Sequence, residues 1–435
     1  MELFLFFTMK AMTDLYSKFI NSSSVSTDTR EIEFNCLFFA LKGDNFDGNF
    51  YADEALEKGA SFAVIDNPDQ QGERKILVEN VLATLQGLAH FHRKQLKLPI
   101  IAITGSNGKT TTKKLVSEVL SKKFKVRATK GNLNNHIGVP LTLLSFTPEL
   151  ELGIIEIGAN HQKEIEFVCK IAEPNYGYIT NFGKAHLEGF GGIEGIIKGK
   201  SELYDYLIHH DGLIFFNRDD DIQVKKAVNY KNYSIGEKPL SDCRVTFMDA
   251  NPFVELEYSH LQIKSQLIGE YNFKNIAAAI GIGCYFGVEK DEIKEAIENF
   301  KPEKMRSQVI EKNDLKILLD AYNANPTSMK AALESFKKMS APSKTVILGD
   351  MFEIGETTLE EHRQILKTCK TLNFDSILVC GEHFSEASKG FENISSFKTK
   401  KDLIAYISKY KPKASSFILI KGSRGMQLET LMNAF

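Results

Sequence analysis

Short apolar runs alternating with helical segments constrain this chain more than any other feature. They recur at residues 98–105 (LPIIAITG), 152–157 (LGIIEI), 176–180 (YGYIT) and 213–216 (LIFF), and again at 316–320 (KILLD), 344–350 (KTVILGD), 376–381 (SILVCG) and 416–422 (SFILIKG). Apolar strands with helices between them predict mostly parallel sheets covered on both faces, in which ligands bind beyond the C-terminal ends of the strands. A chain of 435 residues with 43% hydrophobic content is long enough for several such cores. The expected class is therefore α/β in three domains: 1–96, a small α/β domain; 97–300, a central nucleotide-binding sheet; and 301–435, a second doubly wound sheet. In the first, residues 36–41 (CLFFAL) read as a strand and 42–49 (KGDNFDGN) as a loop. A helix over 81–94 follows, with Leu82, Leu85, Leu88, Ala89 and His92 at helical spacing. A further helix is expected over 272–285.

Within this frame the segment 100–112 (IIAITGSNGKTTT) is a strand, a glycine-bearing turn and a helix start. Glycine lets backbone N–H groups approach phosphate closely. Gly105, Ser106, Asn107, Gly108, Lys109, Thr110 and Thr111 are thus candidates for a phosphate loop, Lys109 toward the outer phosphates and Thr110 toward Mg²⁺. The strict spacing GxxxxGK[ST] asks for glycine where Ile103 stands, so the loop is a shorter variant; the competing reading is a plain turn. Such a loop by itself does not separate a motor, a kinase, a switch and a ligase.

Glu156 ends an apolar run, and a carboxylate on a buried strand needs a partner: Mg²⁺ in one reading, a structural salt bridge in the other. The segment 180–192 (TNFGKAHLEGFGG) follows another strand, which makes His186 a better metal candidate than His209, His210 or His260. His90 and His92 read as packing or surface residues of their helix. Lys198 and Lys200, in the helical run 196–204, read on composition alone as solvated.

Composition excludes other classes. Lysine plus arginine number 54 against 56 acidic residues, a formal charge of −2, which gives no field for nucleic acid or an anionic membrane. The six cysteines show no metal-binding spacing, and a reducing cytoplasm is expected. Residues 1–8 are apolar but too short to span a bilayer, which takes about 20 apolar residues, and lack a signal-peptide pattern. Met9 or Met12 stands as an alternative first residue.

Taken together, TGSNGKTTT, the segment 131–140 (GNLNNHIGVP), EIGANH, TNFGKAHLEGFGG and the segment 269–275 (GEYNFKN) resemble, in residues and in order, the Mur ligase family. The resemblance covers nearly the whole chain. It implies a uridine-nucleotide-binding first domain, a central ATPase and a closing Rossmann-like third domain. It also implies Mg²⁺ held by Thr110, Glu156 and His186, adenine near Asn272 or Asn275, and Arg306 and Asp320 reaching the nucleotide from the third domain. Lys200 matches the family lysine that is often carbamylated and then faces a second Mg²⁺, chemistry that needs a neutral amine.

Three segments are similar to the family member that adds D-alanyl-D-alanine to UDP-N-acetylmuramoyl-tripeptide: 26–30 with 39–48, then 320–328, then 348–355 (LGDMFEIG). The substrate contacts implied are Ser26, Thr27, Asp28, Arg30, Lys42, Gly43, Asp47 and Gly48, with Asn134, Asn135 and His136, and Tyr322, Asn323, Asn325 and Ser328. A monomer without nucleic-acid or membrane partners is expected. The alternatives are a sibling amide ligase, adding lysine or diaminopimelate or resembling folylpolyglutamate synthase, and a P-loop NTPase switch. The diaminopimelate-adding sibling usually carries D-N-P-R where this chain has YNANP.

Overall fold

The computed structural model describes residues 9–302 and 304–435; the apolar start over 1–8 lies outside the described residues. Three sheets organise the chain. Val25–Ser26, Leu37–Phe39, Phe62–Ile65 and Lys75–Leu77 form a four-stranded parallel sheet. A central nine-stranded sheet follows, and then a six-stranded sheet that is parallel apart from its first strand, Gln308–Lys312. No helix among the described residues is long and apolar enough to cross a membrane.

The strand Ile100–Thr104 shows why the central sheet is covered on both sides. Side chains alternate across a strand: Ile100 and Ala102 join one apolar cluster, while Ile101 and Ile103 join another. The strand lies between Leu152–Glu156 and Tyr176–Ile179; the chain leaves it for the edge strand Val126–Ala128, returns to Leu152–Glu156, and then crosses to build outward from Tyr176–Ile179 on the other side. It is a topological switch point, and the turn at its C-terminal end opens where ligands bind in such sheets. The next helix, Lys109–Leu120, buries Leu115, Val116, Val119 and Leu120. It packs against Tyr271–Tyr285 closely enough that a Cβ on Gly283 would stand 2.4 Å from Val119 Cγ1.

The expected strands and the helices over 81–94 and 272–285 are present, the helices as Val81–Leu96 and Tyr271–Tyr285. Two features differ from expectation. The segment read as a loop after residue 41 contains a short hairpin, Lys42–Gly43 with Phe46–Asp47. Residues 243–268 form an antiparallel meander, Cys243–Ala250, Phe253–Tyr258 and Leu261–Ile268, on one edge of the central sheet. With one face exposed, its strands carry mixed rather than continuous apolar sequence.

Candidate active site

A cleft of about 1140 Å³ opens between the central sheet and the third. Its floor is the turn 105–108. Gly105 and Gly108 have φ of +134° and +82°; a Cβ on Gly105 would lie 2.0 Å from Thr180 Oγ1, and one on Gly108 would lie 2.4 Å from Asn275 Oδ1. Both positions therefore exclude a side chain. The turn is tied to the next strand's end by Ser106 N donating to Asn181 O (3.0 Å) and Thr180 Oγ1 donating to Asn107 O (2.6 Å). Beyond it the first turn of Lys109–Leu120 presents backbone N–H groups that have no partner within the helix, and Ser106 Oγ is buried without a partner.

Lys109 folds back, its Nζ donating to Gly105 O at 2.7 Å. Burial pushes its pKa down, the Arg306 charge adds to that, and Glu156 opposes it. Glu156 is 2% exposed. Its Oε1 accepts from Asn134 Nδ2 (2.8 Å) and Thr110 Oγ1 (3.2 Å), and its Oε2 stands 3.0 Å from Lys113 Nζ. Lys113, itself 1% exposed, also donates to Gly131 O. The carboxylate thus has the ion pair that one sequence reading expected, while Oε1 and the Thr110 hydroxyl form an oxygen pair at the cleft.

The composition reading of the two helix lysines is half corrected. Lys198 is exposed, but Lys200 is fully buried, with Nζ donating to Ala159 O at 3.1 Å and lying 4.6 Å from the Phe190 ring centre. Helical spacing turns residue 200 inward against the sheet, and burial, followed by the Lys109 charge, pushes its pKa well down. His186 lines the cleft in a left-handed conformation (φ 55°), its Nδ1 2.5 Å from Glu353 Oε2 of the third sheet's loop. Burial lowers its pKa, which the Glu353 charge opposes. Among the described residues no three His, Cys, Asp or Glu side chains cluster as a metal cage. His90 and His92 pack, His92 Nε2 meeting Phe146 O at 2.9 Å.

The third sheet reaches into the cleft. Arg306 Nη2 donates to Thr110 Oγ1 (3.2 Å), and its guanidinium stacks 3.6 Å over the Tyr322 ring. Asn325 caps the helix Pro326–Lys338 in a reciprocal box with Ser328, and its Nδ2 donates to Asn107 Oδ1 at 2.7 Å. Asp320 accepts from Ser307 N and pairs with buried Lys421 at 2.5 Å, which also donates to Asn323 O. From the central sheet, Thr111, Asn135 and His136 line the cleft. So do Asn272 and Asn275, which bond to each other at 2.9 Å.

Most of the predicted residues are thus brought to one place. Gly105 supports the cleft from behind, and Lys200 lies beneath it. The first sheet's candidates are not brought there. Asp28 caps a short turn and binds Arg30, whose side chain is 86% exposed. Ser26 Oγ accepts from Asp28 N, beside Thr27. Lys42 pairs with Asp66 at 2.9 Å, and Asp47 caps the turn after the hairpin. Gly48 lets the backbone pass Leu41 O, where a Cβ would stand at 2.4 Å, and Gly43 faces the Phe46 ring. Sequence reasoning missed Lys113, although it falls four residues after Lys109 and hence on the same helix face. It also missed the contacts of Glu353 with His186 and of Lys184 with Glu361 at 2.5 Å.

Comparison with known proteins agrees with this architecture. Residues 103–283 match the model of the Mur ligase middle domain, 305–424 that of the Mur ligase glutamate ligase domain, and 21–98 that of the Mur ligase family catalytic domain. The UDP-N-acetylmuramoyl-tripeptide–D-alanyl-D-alanine ligase of Bacillus subtilis (strain 168) is 33% identical, over 94% of this chain and 92% of that protein. A crystal structure of MurF from Acinetobacter baumannii superposes with a TM-score of 0.87 at 30% identity, covering 97% of each chain. The MurF ligase of Thermotoga maritima, solved in complex with ADP, does so at 0.84 and 25% identity, covering 96% of this chain and 97% of that one. The chain belongs to the Mur ligase family and is an ATP-dependent amide ligase.

Proposed function

We propose that this ligase joins D-alanyl-D-alanine to UDP-N-acetylmuramoyl-tripeptide, giving the pentapeptide precursor of peptidoglycan, ADP and phosphate. The observation that carries the reading is the meeting of the third sheet with the phosphate loop, Asn325 on Asn107 and Arg306 on Thr110. An amide ligase must activate a carboxylate and then keep water from the activated species; the phosphate loop serves the first need and a site closed from two sheets the second. The substrates rest on near-full-length similarity to ligases of that name. In this reading the domains are 1–96, 97–300 and 301–435, and the first holds the uridine nucleotide through Ser26 to Arg30 and Lys42 to Gly48.

ATP phosphates lie over Gly105 to Thr111, and adenine lies by Asn272 and Asn275. Lys109, depressed in pKa while its Nζ rests on loop carbonyls, takes up the γ-phosphate, whose charge favours its protonated form. The tripeptide's terminal carboxylate oxygen attacks the γ-phosphorus, and the bond to the β–γ bridging oxygen breaks, releasing ADP and leaving an acyl phosphate. The neutral amine of D-alanyl-D-alanine then attacks the acyl carbon, and phosphate departs. Lys109 and Arg306 offset the charge spread over the transferring group.

The paired oxygens of Thr110 and Glu156 suit Mg²⁺, a hard cation that takes oxygen ligands, and His186 lies on the same cleft wall. When bound, the ion neutralises charge on phosphate oxygens. Lys200, held toward its neutral amine by burial, is the residue assigned to carbamylation. Phosphate release from ATP should require the nucleotide-tripeptide and D-alanyl-D-alanine together, with a dipeptide mass gain on the nucleotide. Release with another amino acid in place of the dipeptide would reassign the ligase to a sibling activity.

A further inference from the structure

Far from the cleft, two of the six cysteines adjoin. Cys284 is the penultimate residue of the helix Tyr271–Tyr285, whose first turn carries Asn272 and Asn275 to the cleft. At 1.5 Å per residue it stands about 18 Å along the axis from Asn272. Cys243 opens the first strand of the edge meander and is 3% exposed. The helix packs against that strand, and the two sulfurs lie within interaction range of each other. Cys284 Sγ accepts from Tyr233 Oη at 3.3 Å, and Tyr258 lies near it.

A tyrosine hydroxyl thus donates to this sulfur, with a second hydroxyl and a second thiol beside it, a surrounding that favours its anion. Cys284 is only part-buried, whereas Cys36, Cys169, Cys369 and Cys380 are buried and burial pushes each of their thiols up. A polar surrounding, partial exposure and an adjacent second thiol are what separate a reactive cysteine from an inert one.

We propose that Cys284 and Cys243 are a peroxide-oxidisable thiol pair that closes into a disulfide, a modification site separate from the ligase cleft. The Cys284 thiolate attacks one oxygen of hydrogen peroxide, the O–O bond breaks, and hydroxide leaves a sulfenic acid on Cys284. The Cys243 sulfur then attacks Cys284 Sγ, and the sulfenic oxygen leaves as water with the Cys243 proton. Two thiols lose two electrons and peroxide becomes two waters. A thiol reductant reverses the bond.

The test treats the folded full-length protein with hydrogen peroxide, blocks free thiols with iodoacetamide, and maps peptides by mass. The expected product is a Cys243–Cys284 cross-linked peptide lost on dithiothreitol treatment, with the other four cysteines free. In the untreated protein, Cys284 should alkylate about ten-fold faster than those four. In Cys243→Ser, peroxide should leave a sulfenic acid on Cys284 that dimedone captures. Absence of the cross-link, an over-oxidised Cys284 beside an untouched Cys243, or alkylation no faster than at the buried cysteines would overturn the proposal.

Discussion

The two regions that carry candidate ligand-binding residues are built differently. Around the phosphate loop, Lys113, Glu156 and Asn275 are buried and Lys109 half-buried, and their bonds run between neighbouring elements. In the first sheet, Arg30 and Lys42 reach from exposed turns and pair with carboxylates close by. The part that would meet phosphate, a group common to many reactions, is braced by contacts among its own residues. The part assigned to the nucleotide-sugar is solvated and keeps its charges on local partners. Preorganisation in the first region predicts large losses on substitution, and the loose pairs of the second predict small ones.

The largest expected effect is that of Lys109→Ala, which should lower kcat by about 10³-fold while circular dichroism stays unchanged; near-normal turnover would mean that the loop is a plain turn. Lys113→Ala leaves Glu156 buried without its cation and should cost about 3–5 kcal/mol in urea unfolding. Glu156→Gln added to it should restore part of that, and strict additivity would show the pair to be uncoupled. Arg306→Ala should reduce kcat/KM for ATP about 10- to 100-fold, the worth of a hydrogen bond to a charged group. Arg30→Ala should raise KM for the UDP-linked substrate about ten-fold with kcat and Tm unchanged; a fall in Tm instead would make Arg30 structural and erase the contrast.

The smallest effect concerns pH. Lys200 has a folded pKa below its unfolded value of about 10.4, so between the two the unfolded chain holds one more proton. Stability therefore rises with pH across that window, by up to about 1.4 kcal/mol per unit. Lys200→Met should flatten the rise of Tm with alkalinity; an unchanged slope would mean that the lysine is charged where it lies.

What could be read from the sequence follows how local its signal is. The apolar strands, the turn 105–108 and the order of motifs announced the sheets and most of the cleft, because strand patterning and glycine turns act over a few residues. Lys200 was legible only through resemblance: its neighbour Lys198 has the same chemistry, and only the packed helix face tells them apart. Lys113 escaped notice because a helix lysine looks solvated until the strand carrying Glu156 lies across from it. The edge meander went unread because its strands alternate polar and apolar residues. The exposure of Arg30 and Lys42 depends on how the first sheet sits, which no short segment encodes.

One feature of the seam between the central and third sheets bears on tempo. Its links are polar, with one ion pair, Lys184 with Glu361, beside the contacts of His186 with Glu353 and of Asn107 with Asn325. Exposed charge pairs are screened by salt, over about 8 Å at physiological ionic strength. The Lys184–Glu361 pair is part-buried and screened less than that, so salt should loosen the seam only modestly, a change that turnover measured across a salt series would register. The seam's hold on the cleft is in this way tied, weakly, to the electrolyte around it.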